Sequence, residues 1–179
     1  IHGDLKGTNI IMERDPLRPD SFQAKLLDFG LSRVLTQSVG RMGGTAMWVA
    51  PEVLRGQPAH RNADTFSFGR LSFFILTGCF PFGHATKRRI FKLLQSGSLP
   101  ALPWPLASSS STLAEESRCW VEACSDADPL KRPRMEDVAN FIVEMSKEAD
   151  SSSQDPEEHP TSHNFPPAAS EAAGADQEP

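Results

Sequence analysis

Four polar side chains near the start of the chain have the types and spacing needed for chemistry beside a cation. Asp4, Lys6 and Asn9 lie close together, and Asp28 follows the apolar run 24–27. Carboxylate and amide oxygens are ligands that Mg²⁺ prefers, so Asn9 and Asp28 suit a magnesium ion. A carboxylate such as Asp4 can accept a proton from a reacting hydroxyl, and the ammonium of Lys6 can neutralise a nearby anion.

Three short motifs occur in order: residues 2–9 (HGDLKGTN), 28–30 (DFG) and 50–52 (APE). Singly they are weak, because DFG is usually a turn with a buried aromatic residue and APE is usually a helix start with proline at the first position. In this order they resemble the catalytic loop, the metal-binding motif and the end of the activation segment of protein kinases. The resemblance covers about residues 1–147.

The resemblance implies an enzyme that uses ATP and Mg²⁺. Asp4 would accept the proton of the substrate hydroxyl and align that hydroxyl. Lys6 would bind the nucleotide and neutralise charge on the transferring phosphoryl group. Asn9 and Asp28 would hold the metal and the nucleotide, and Thr45 would pair with Lys6 near the acceptor hydroxyl.

The remaining residues of these motifs are expected to be structural. His2 should pack against the region of Phe29 rather than titrate in catalysis. Phe29 is itself a packing residue, whose placement in the family reports the active or inactive arrangement. Gly30 completes the motif.

Two long-range contacts are also implied by the resemblance. The late motif at residues 128–133 (DPLKRP) would place Arg132 against Glu52 as an ion pair. Asp64, in a motif that resembles the start of the central kinase helix, would brace the backbone of the catalytic loop. An ordinary N-cap is the alternative for Asp64, and both roles can hold together.

Residues 44–52 (GTAMWVAPE) resemble the activation-segment end of serine/threonine kinases, especially the tyrosine-kinase-like group that includes mixed-lineage and Raf kinases. Lys6 supports the same choice, since tyrosine kinases typically have alanine there. The implied partner is a protein substrate with a serine or threonine acceptor.

The sequence departs from the kinase pattern at several places. Gly3 replaces the arginine that normally binds a phosphorylated activation loop, so Asp4 should need no phosphate at Thr36 or Ser38 to be organised. Ser125 stands where tyrosine-kinase-like enzymes often carry tryptophan, and Trp120 is expected to fill that space. The glycine-rich loop, the strand lysine and its partner glutamate would precede residue 1, so this sequence is expected to be a partial domain.

The elements that must position these residues can be predicted from patterning. Runs 9–12 and 24–27 predict a β-hairpin with a long loop at 13–21, carrying Asn9 and Asp28 at its outer ends. Helices are predicted at 64–77, apolar almost all round, and at 87–95, amphipathic with a glycine stop. Two more are predicted at 112–123, with a capping box, and at 135–147.

Composition limits the partners and the compartment. The net charge is −5, but seven of the 23 acids lie in residues 149–179, which contain no Lys or Arg. The remaining body is nearly neutral, which gives no electrostatic case for nucleic-acid binding. The apolar stretch 66–82 is too short to span a bilayer. Three cysteines without CxxC spacing are expected to be free thiols, with the cytoplasm as the default compartment.

The sequence therefore predicts a mainly α fold, the C-terminal lobe of a protein kinase at 1–148 with a short β-hairpin at the catalytic site. Residues 149–179 are expected to form a disordered acidic tail rich in Ser, Pro and Ala. Two functions follow: a serine/threonine kinase, here as a partial catalytic domain that is inactive alone, or a non-catalytic kinase-like module that binds proteins. Retention of Asp4, Lys6, Asn9 and Asp28 favours the enzyme.

Overall fold

The structure is a computed structural model that describes residues 1–29, 44–58, 60–105 and 112–152. It is helix-rich, with one small antiparallel sheet. A 3₁₀ turn at Gly7–Asn9 leads into strand β1 (Ile10–Asp15) and strand β2 (Arg18–Leu26). A second 3₁₀ turn at Gly44–Met47 precedes helix α1 (Pro51–Leu54). Four helices follow: α2 (Arg61–Thr77), α3 (Lys87–Ser96), α4 (Thr112–Cys124) and α5 (Met135–Ser152).

The hairpin forms as predicted, but the long loop predicted at 13–21 is wrong. Both strands extend through most of that region, and only two residues, Pro16 and Leu17, connect them. Asp15 closes the turn, since its carboxylate accepts hydrogen bonds from Leu17 N at 2.9 Å and from Arg18 Nε at 3.2 Å. These donors lower the pKa of Asp15. A local side chain to backbone bond of this kind replaces the longer loop.

Helix α2 lies at the centre of the fold. Its most buried side chains, Phe66 and Phe73, are fully enclosed and belong to two different apolar clusters. Leu71 joins a third cluster with Leu5. The apolar surface of this helix is uncovered at its C-terminal end, where Ile75 and Leu76 are exposed. Helix α2 therefore contributes side chains to all three apolar clusters.

The start of α2 also differs from the prediction. The helix begins at Arg61, with His60 at the N-cap, three residues before the predicted start. Asp64 therefore lies inside the first turn, so the N-cap alternative for Asp64 is wrong. Its carboxylate is free to bind another segment, near a helix end that favours negative charge.

The predictions for α3, α4 and α5 are confirmed with shifts at their ends. Helix α3 ends where expected, because Gly97 caps it with φ +71°. Helix α5 continues to Ser152, beyond the predicted end at 147 and into the predicted tail. The rest of that tail and the Thr112 side chain of the predicted capping box lie outside the described residues.

Trp120, expected to fill the space beside Ser125, packs against α5. The Trp120 ring stacks on Phe141 of α5, with ring centroids 4.8 Å apart. All three cysteines are free thiols, as expected. In the part of the chain that the structure describes, none of the helices combines the length and the apolar character needed to cross a membrane.

Candidate functional site

The loop that carries the predicted catalytic residues is held to α2 by backbone hydrogen bonds to Asp64. Asp64 accepts hydrogen bonds from His2 N at 2.7 Å and from Gly3 N at 2.8 Å, one through each carboxylate oxygen. This is the bracing contact that the sequence implied. Gly3 has φ +82°, a conformation that glycine adopts without steric cost. A residue with a Cβ would be strained there, so the backbone itself explains a glycine at this position.

His2 joins the loop to the end of the hairpin, in the structural role expected for it. Its Nε2 lies 2.8 Å from Leu27 O, and its Nδ1 accepts from Asp4 N at 3.3 Å. Because a carbonyl oxygen can only accept, Nε2 carries the hydrogen and Nδ1 is the acceptor. The ring also meets Phe29 edge to face, with centroids 5.1 Å apart. His2 therefore fixes the backbone on both sides of the site.

Asp4, Lys6 and Asn9 form one hydrogen-bonded group in which Asp4 and Asn9 are buried. Asp4 Oδ2 accepts from Lys6 Nζ at 2.6 Å and from Asn9 Nδ2 at 3.0 Å, and Asn9 Nδ2 also donates to Asp4 O at 2.8 Å. Asp4 Oδ1 has no hydrogen-bond partner among the described residues, although it is buried. A buried carboxylate oxygen without a donor is costly, and such an atom can accept a proton from a bound group.

Asp28 lies beside this group at the end of the hairpin. Leu27 N donates to Asn9 O at 2.8 Å, which places the residue before Asp28 against Asn9. Asp28 has φ +59°, the one positive φ of a non-glycine residue in the described ranges, and its side chain is exposed. Such backbone strain costs on the order of 1–3 kcal/mol and clusters at functional sites.

The donor set at this position fits a magnesium ion. Both Asn9 Nδ2 bonds run to Asp4, so the amide is oriented with its Oδ1 away from Asp4. An amide oxygen and one exposed carboxylate of Asp28 are hard oxygen donors, and Mg²⁺ usually takes one or two protein oxygens together with phosphate oxygens. No group of three or more His, Cys, Asp and Glu side chains within the described ranges could hold a metal ion by itself.

The segment that ends at Glu52 is fixed to α2 by a contact that the sequence did not predict. Ser67 Oγ donates to Trp48 O at 2.7 Å, and Trp48 packs in the cluster with Leu5 and Leu71. A serine facing inward from an apolar helix is the signal that could have identified this contact. The Thr45 side chain and Gly30, both predicted site residues, lie outside the described residues.

The predicted ion pair between Glu52 and Arg132 is confirmed. Arg132 Nη1 and Nη2 donate to Glu52 Oε1 and Oε2 at 2.7 and 2.8 Å, a bidentate pair whose side chains are 0% and 4% exposed. Arg132 Nε also donates to Asp126 O at 2.8 Å, and its guanidinium lies 4.9 Å from the centroid of the Phe66 ring. This contact ties the end of the 44–52 segment to the loop between α4 and α5.

Comparisons with known proteins agree on one family. A family model described as the protein kinase domain matches residues 1–141. A protein of Acanthamoeba polyphaga mimivirus described as a serine/threonine-protein kinase/receptor is 34% identical over 146 residues, 81% of this chain. In Arabidopsis thaliana, the serine/threonine-protein kinase STY17 is 30% identical over 91% of the chain, and the serine/threonine/tyrosine-protein kinase HT1 is 33% identical over 82%.

The match covers a small part of each relative. The chain spans 8% of the mimivirus protein, 26% of STY17 and 34% of HT1. The similarity therefore concerns the domain and not the whole of these proteins.

Proposed function

The chain belongs to the protein kinase family, and from that premise we propose that it is part of the catalytic domain of a serine/threonine kinase. In this proposal residues 1–148 form the C-terminal lobe part, followed by an acidic tail at 149–179. The reaction transfers the γ-phosphate of ATP to a protein hydroxyl. The observation that carries the proposal is the Asp4 carboxylate, with Oδ2 held by Lys6 and Asn9 and Oδ1 unpaired among the described residues.

Asp4 has the proton-accepting role. The acceptor hydroxyl oxygen forms a bond to the γ-phosphorus, the bond between that phosphorus and the β–γ bridging oxygen breaks, and ADP leaves. The hydroxyl proton passes to Asp4 Oδ1. Lys6 and Asn9 hold the other oxygen, so the carboxylate cannot rotate away from the incoming hydroxyl.

Asn9 and Asp28 would hold Mg²⁺, which when bound neutralises negative charge on the nucleotide phosphates. The Asp4 bonds orient the Asn9 amide for this role. Lys6, with Nζ 2.6 Å from Asp4 Oδ2, would donate to an oxygen of the transferring group. In each case the protein contributes orientation and charge, on which phosphoryl transfer mainly depends.

Serine and threonine are the proposed acceptors. Lys6 is present where tyrosine kinases typically have alanine, and Thr45 is proposed to pair with it near the acceptor hydroxyl. Of the three relatives named above, all have serine/threonine in their names and one adds tyrosine. The cofactors of the family, ATP and Mg²⁺, are proposed for this chain as well.

The test uses the chain extended upstream to a complete kinase domain. Transfer of labelled phosphate to a serine/threonine peptide mixture should require ATP and Mg²⁺. We expect Asp4→Asn and Asp28→Asn each to lower the rate by at least about 10³-fold, because each removes a charge at the reacting group. Asp137→Asn is the matched control, since Asp137 pairs with Arg134 on the surface of α5. The 179-residue chain alone should show no measurable transfer.

A non-catalytic binding module is the second candidate. It is favoured by an apolar groove of about 320 Å³ between α2, α4 and α5, where Ile75, Leu76 and Ile142 are exposed. If the complete domain bound ATP and Mg²⁺ poorly, and Asp4→Asn and Asp28→Asn changed nothing, the enzyme would be ruled out in favour of the module.

A further inference from the structure

A second polar cavity lies away from the catalytic loop, between α2, the segment after α3 and the end of α4. Its volume is about 680 Å³, and its walls include Arg70, Leu102, Glu122, Ser125 and Asp126. None of these side chains belongs to the proposed catalytic group, although Asp126 O accepts from Arg132. The cavity therefore needs its own explanation.

Arg70 is the unusual member of this cavity. The residue is 1% exposed, and its Nε and Nη1 atoms are buried without a hydrogen-bond partner among the described residues. Its guanidinium instead lies on two aromatic faces, 5.0 Å from the centroid of Phe66 and 4.9 Å from that of Phe82. A buried cation without hydrogen-bond acceptors is costly, and cation–π contacts offset only part of that cost.

The charge on Arg70 persists at neutral pH. Burial, together with the nearby positive charge of Arg132, lowers the pKa of Arg70 to about 10. The group is thus still a cation under physiological conditions, and deprotonation does not remove the cost of its burial.

The cavity walls also include the hydroxyl of Ser125 and the carboxylates of Glu122 and Asp126. Ser125 Oγ is buried and also lacks a partner among the described residues. One oxygen of each carboxylate is engaged: Glu122 Oε1 accepts from Trp104 Nε1 at 2.9 Å and from Arg118 Nε at 3.0 Å. Asp126 Oδ1 accepts from Asp128 N at 2.7 Å. The unpaired groups are therefore a guanidinium and a hydroxyl, which suit an acceptor with negative charge.

The close packing of α2 against the end of α4 brings Arg70 and Ser125 to the same side of the cavity. A Cβ on Gly69 would lie 2.7 Å from Ser125 Oγ and 2.6 Å from Cys124 Cβ, so only glycine allows α2 to approach the end of α4 this closely. Arg70 is the next residue of α2.

We propose that this cavity binds an oxyanion, a carboxylate or a phosphate, through Arg70 and Ser125. The anion accepts hydrogen bonds from the guanidinium and from the Ser125 hydroxyl, while Leu99 and Leu102 supply apolar contact. The site is distinct from the proposed catalytic site and independent of its activity. The anion comes from solution or from an acidic side chain of residues 155–178, and the two sources share this chemistry.

The test measures the thermal unfolding midpoint of the full chain against the concentration of inorganic phosphate. For the wild type we expect the midpoint to rise with the logarithm of the phosphate concentration above the dissociation constant, by about 3–6 °C at ten times that constant. Arg70→Met should abolish this rise. Arg88→Met, which removes the same charge from the exposed face of α3, should respond like the wild type. An equal rise in all three proteins, or no rise in the wild type, would overturn the proposal.

A second variant keeps the test decisive if Arg70→Met does not fold. Ser125→Ala removes only a hydroxyl, and we expect it to weaken phosphate binding about tenfold. Unchanged binding in Ser125→Ala would contradict the assigned contact. A last variant of the full chain distinguishes the two sources by changing six acids to their amides: Asp155, Glu157, Glu158, Glu171, Asp176 and Glu178. Tighter phosphate binding in this variant identifies the chain's own acids as the source. Unchanged phosphate binding identifies a free anion.

Discussion

The guanidinium of Arg132 is surrounded by acceptors: two Glu52 oxygens, Asp126 O and Asn62 O. Such a pair stabilises only if both partners stay, because either charge alone would be buried without compensation. We expect Arg132→Met or Glu52→Gln each to lower the free energy of unfolding by ~3–5 kcal/mol. Urea denaturation followed by circular dichroism measures the loss.

The double variant tests whether the loss of stability in each single variant comes from leaving the other charge buried without its partner. If the two charges mainly compensate each other, Glu52→Gln with Arg132→Met should be less destabilised than the two single effects added together. Arg134→Met is the matched control, because Arg134 makes its ion pairs on the surface. Single variants as stable as this control would contradict the structural role of the pair.

The three cysteines should differ sharply in reactivity. Cys79 and Cys119 are exposed, whereas Cys124 is buried, and burial raises the pKa of its thiol to about 11. At pH 8 the thiolate fraction of Cys124 is then about a hundredfold below that of a thiol with the ordinary pKa. We expect a disulfide reagent to titrate two thiols rapidly in the native protein and the third only after denaturation.

The raised pKa of the Cys124 thiol also makes the stability of the protein depend on pH. As pH rises from about 9 towards 11, the unfolded chain loses the Cys124 proton before the folded chain does, so the contribution of this thiol to stability falls. Cys124→Ala should remove that part of the pH dependence. Rapid titration of all three native thiols would contradict the burial of Cys124.

At the residue scale, a contact could be predicted from the sequence where both of its partners belong to recognisable motifs. The Glu52–Arg132 pair and the Asp64 brace could be predicted, because in each case the two segments carry recognisable patterns. For Ser67 and Arg70, a lone polar residue in an apolar helix signals a buried polar contact, but the sequence does not identify the partner. Their meaning depends on which backbone carbonyl or cavity the helix faces.

At the scale of elements, the approach of α2 to α4 depends on Gly69. A Cβ there would lie 2.6 Å from Cys124 Cβ and 3.1 Å from Val121 O, and a backbone oxygen cannot move aside cheaply. We expect Gly69→Ala to destabilise the protein by about 1–3 kcal/mol, despite the better helix propensity of alanine. Differential scanning calorimetry would show the lower unfolding midpoint.

Gly7→Ala provides the control for adding a methyl group. Its Cβ would meet only Leu71 Cδ1, at an ordinary distance of 4.0 Å. Gly7→Ala should therefore change the midpoint much less than Gly69→Ala. Equal shifts would mean that the α2–α4 contact is looser than described.

Helix positions could be predicted from periodicity, but their ends and the hairpin turn could not. Helix α3 carries both a Thr86 cap and a Gly97 stop, so its bounds follow from sequence. Helix α2 starts after His60 without a side-chain cap, which left its first turn without a signal. In the hairpin, the polar residues 13–21 resemble a loop, yet Arg14 packs over Phe22 across the strands, 5.6 Å from the ring centroid.

At the scale of the whole molecule, Gly3 predicts how the complete kinase domain is regulated. The residue has no side chain to bind a phosphate, and its N–H is held by Asp64. We expect phosphatase treatment to leave turnover nearly unchanged. Thr36→Ala and Ser38→Ala should also be active, although both positions lie outside the described residues. A large loss of rate on dephosphorylation, reproduced by either variant, would contradict this role of Gly3.

The family and the helix-rich architecture could be predicted for the chain as a whole, because three motifs and four helical patterns agree. The apolar character of α2 does not by itself show which of its faces are covered. Sequence patterning reports that a helix can be buried, but the neighbours that cover each face are set by the chain's path. The groove beside Ile75 and Leu76 is the result.

The loop at residues 2–9 also sets an order of assembly during synthesis. Its brace, Asp64, is added 61 residues after Gly3, and Arg132 comes 80 residues after Glu52. At ~5–20 residues per second, the ribosome needs about 3–12 s to reach Asp64 and about 3–14 s more to reach Arg132. Before Asp64 is made, the loop at residues 2–9 has no brace, and before Arg132 is made, Glu52 has no ion-pair partner. The brace of the proposed catalytic loop is therefore available earlier in synthesis than the contact that holds the end of the 44–52 segment.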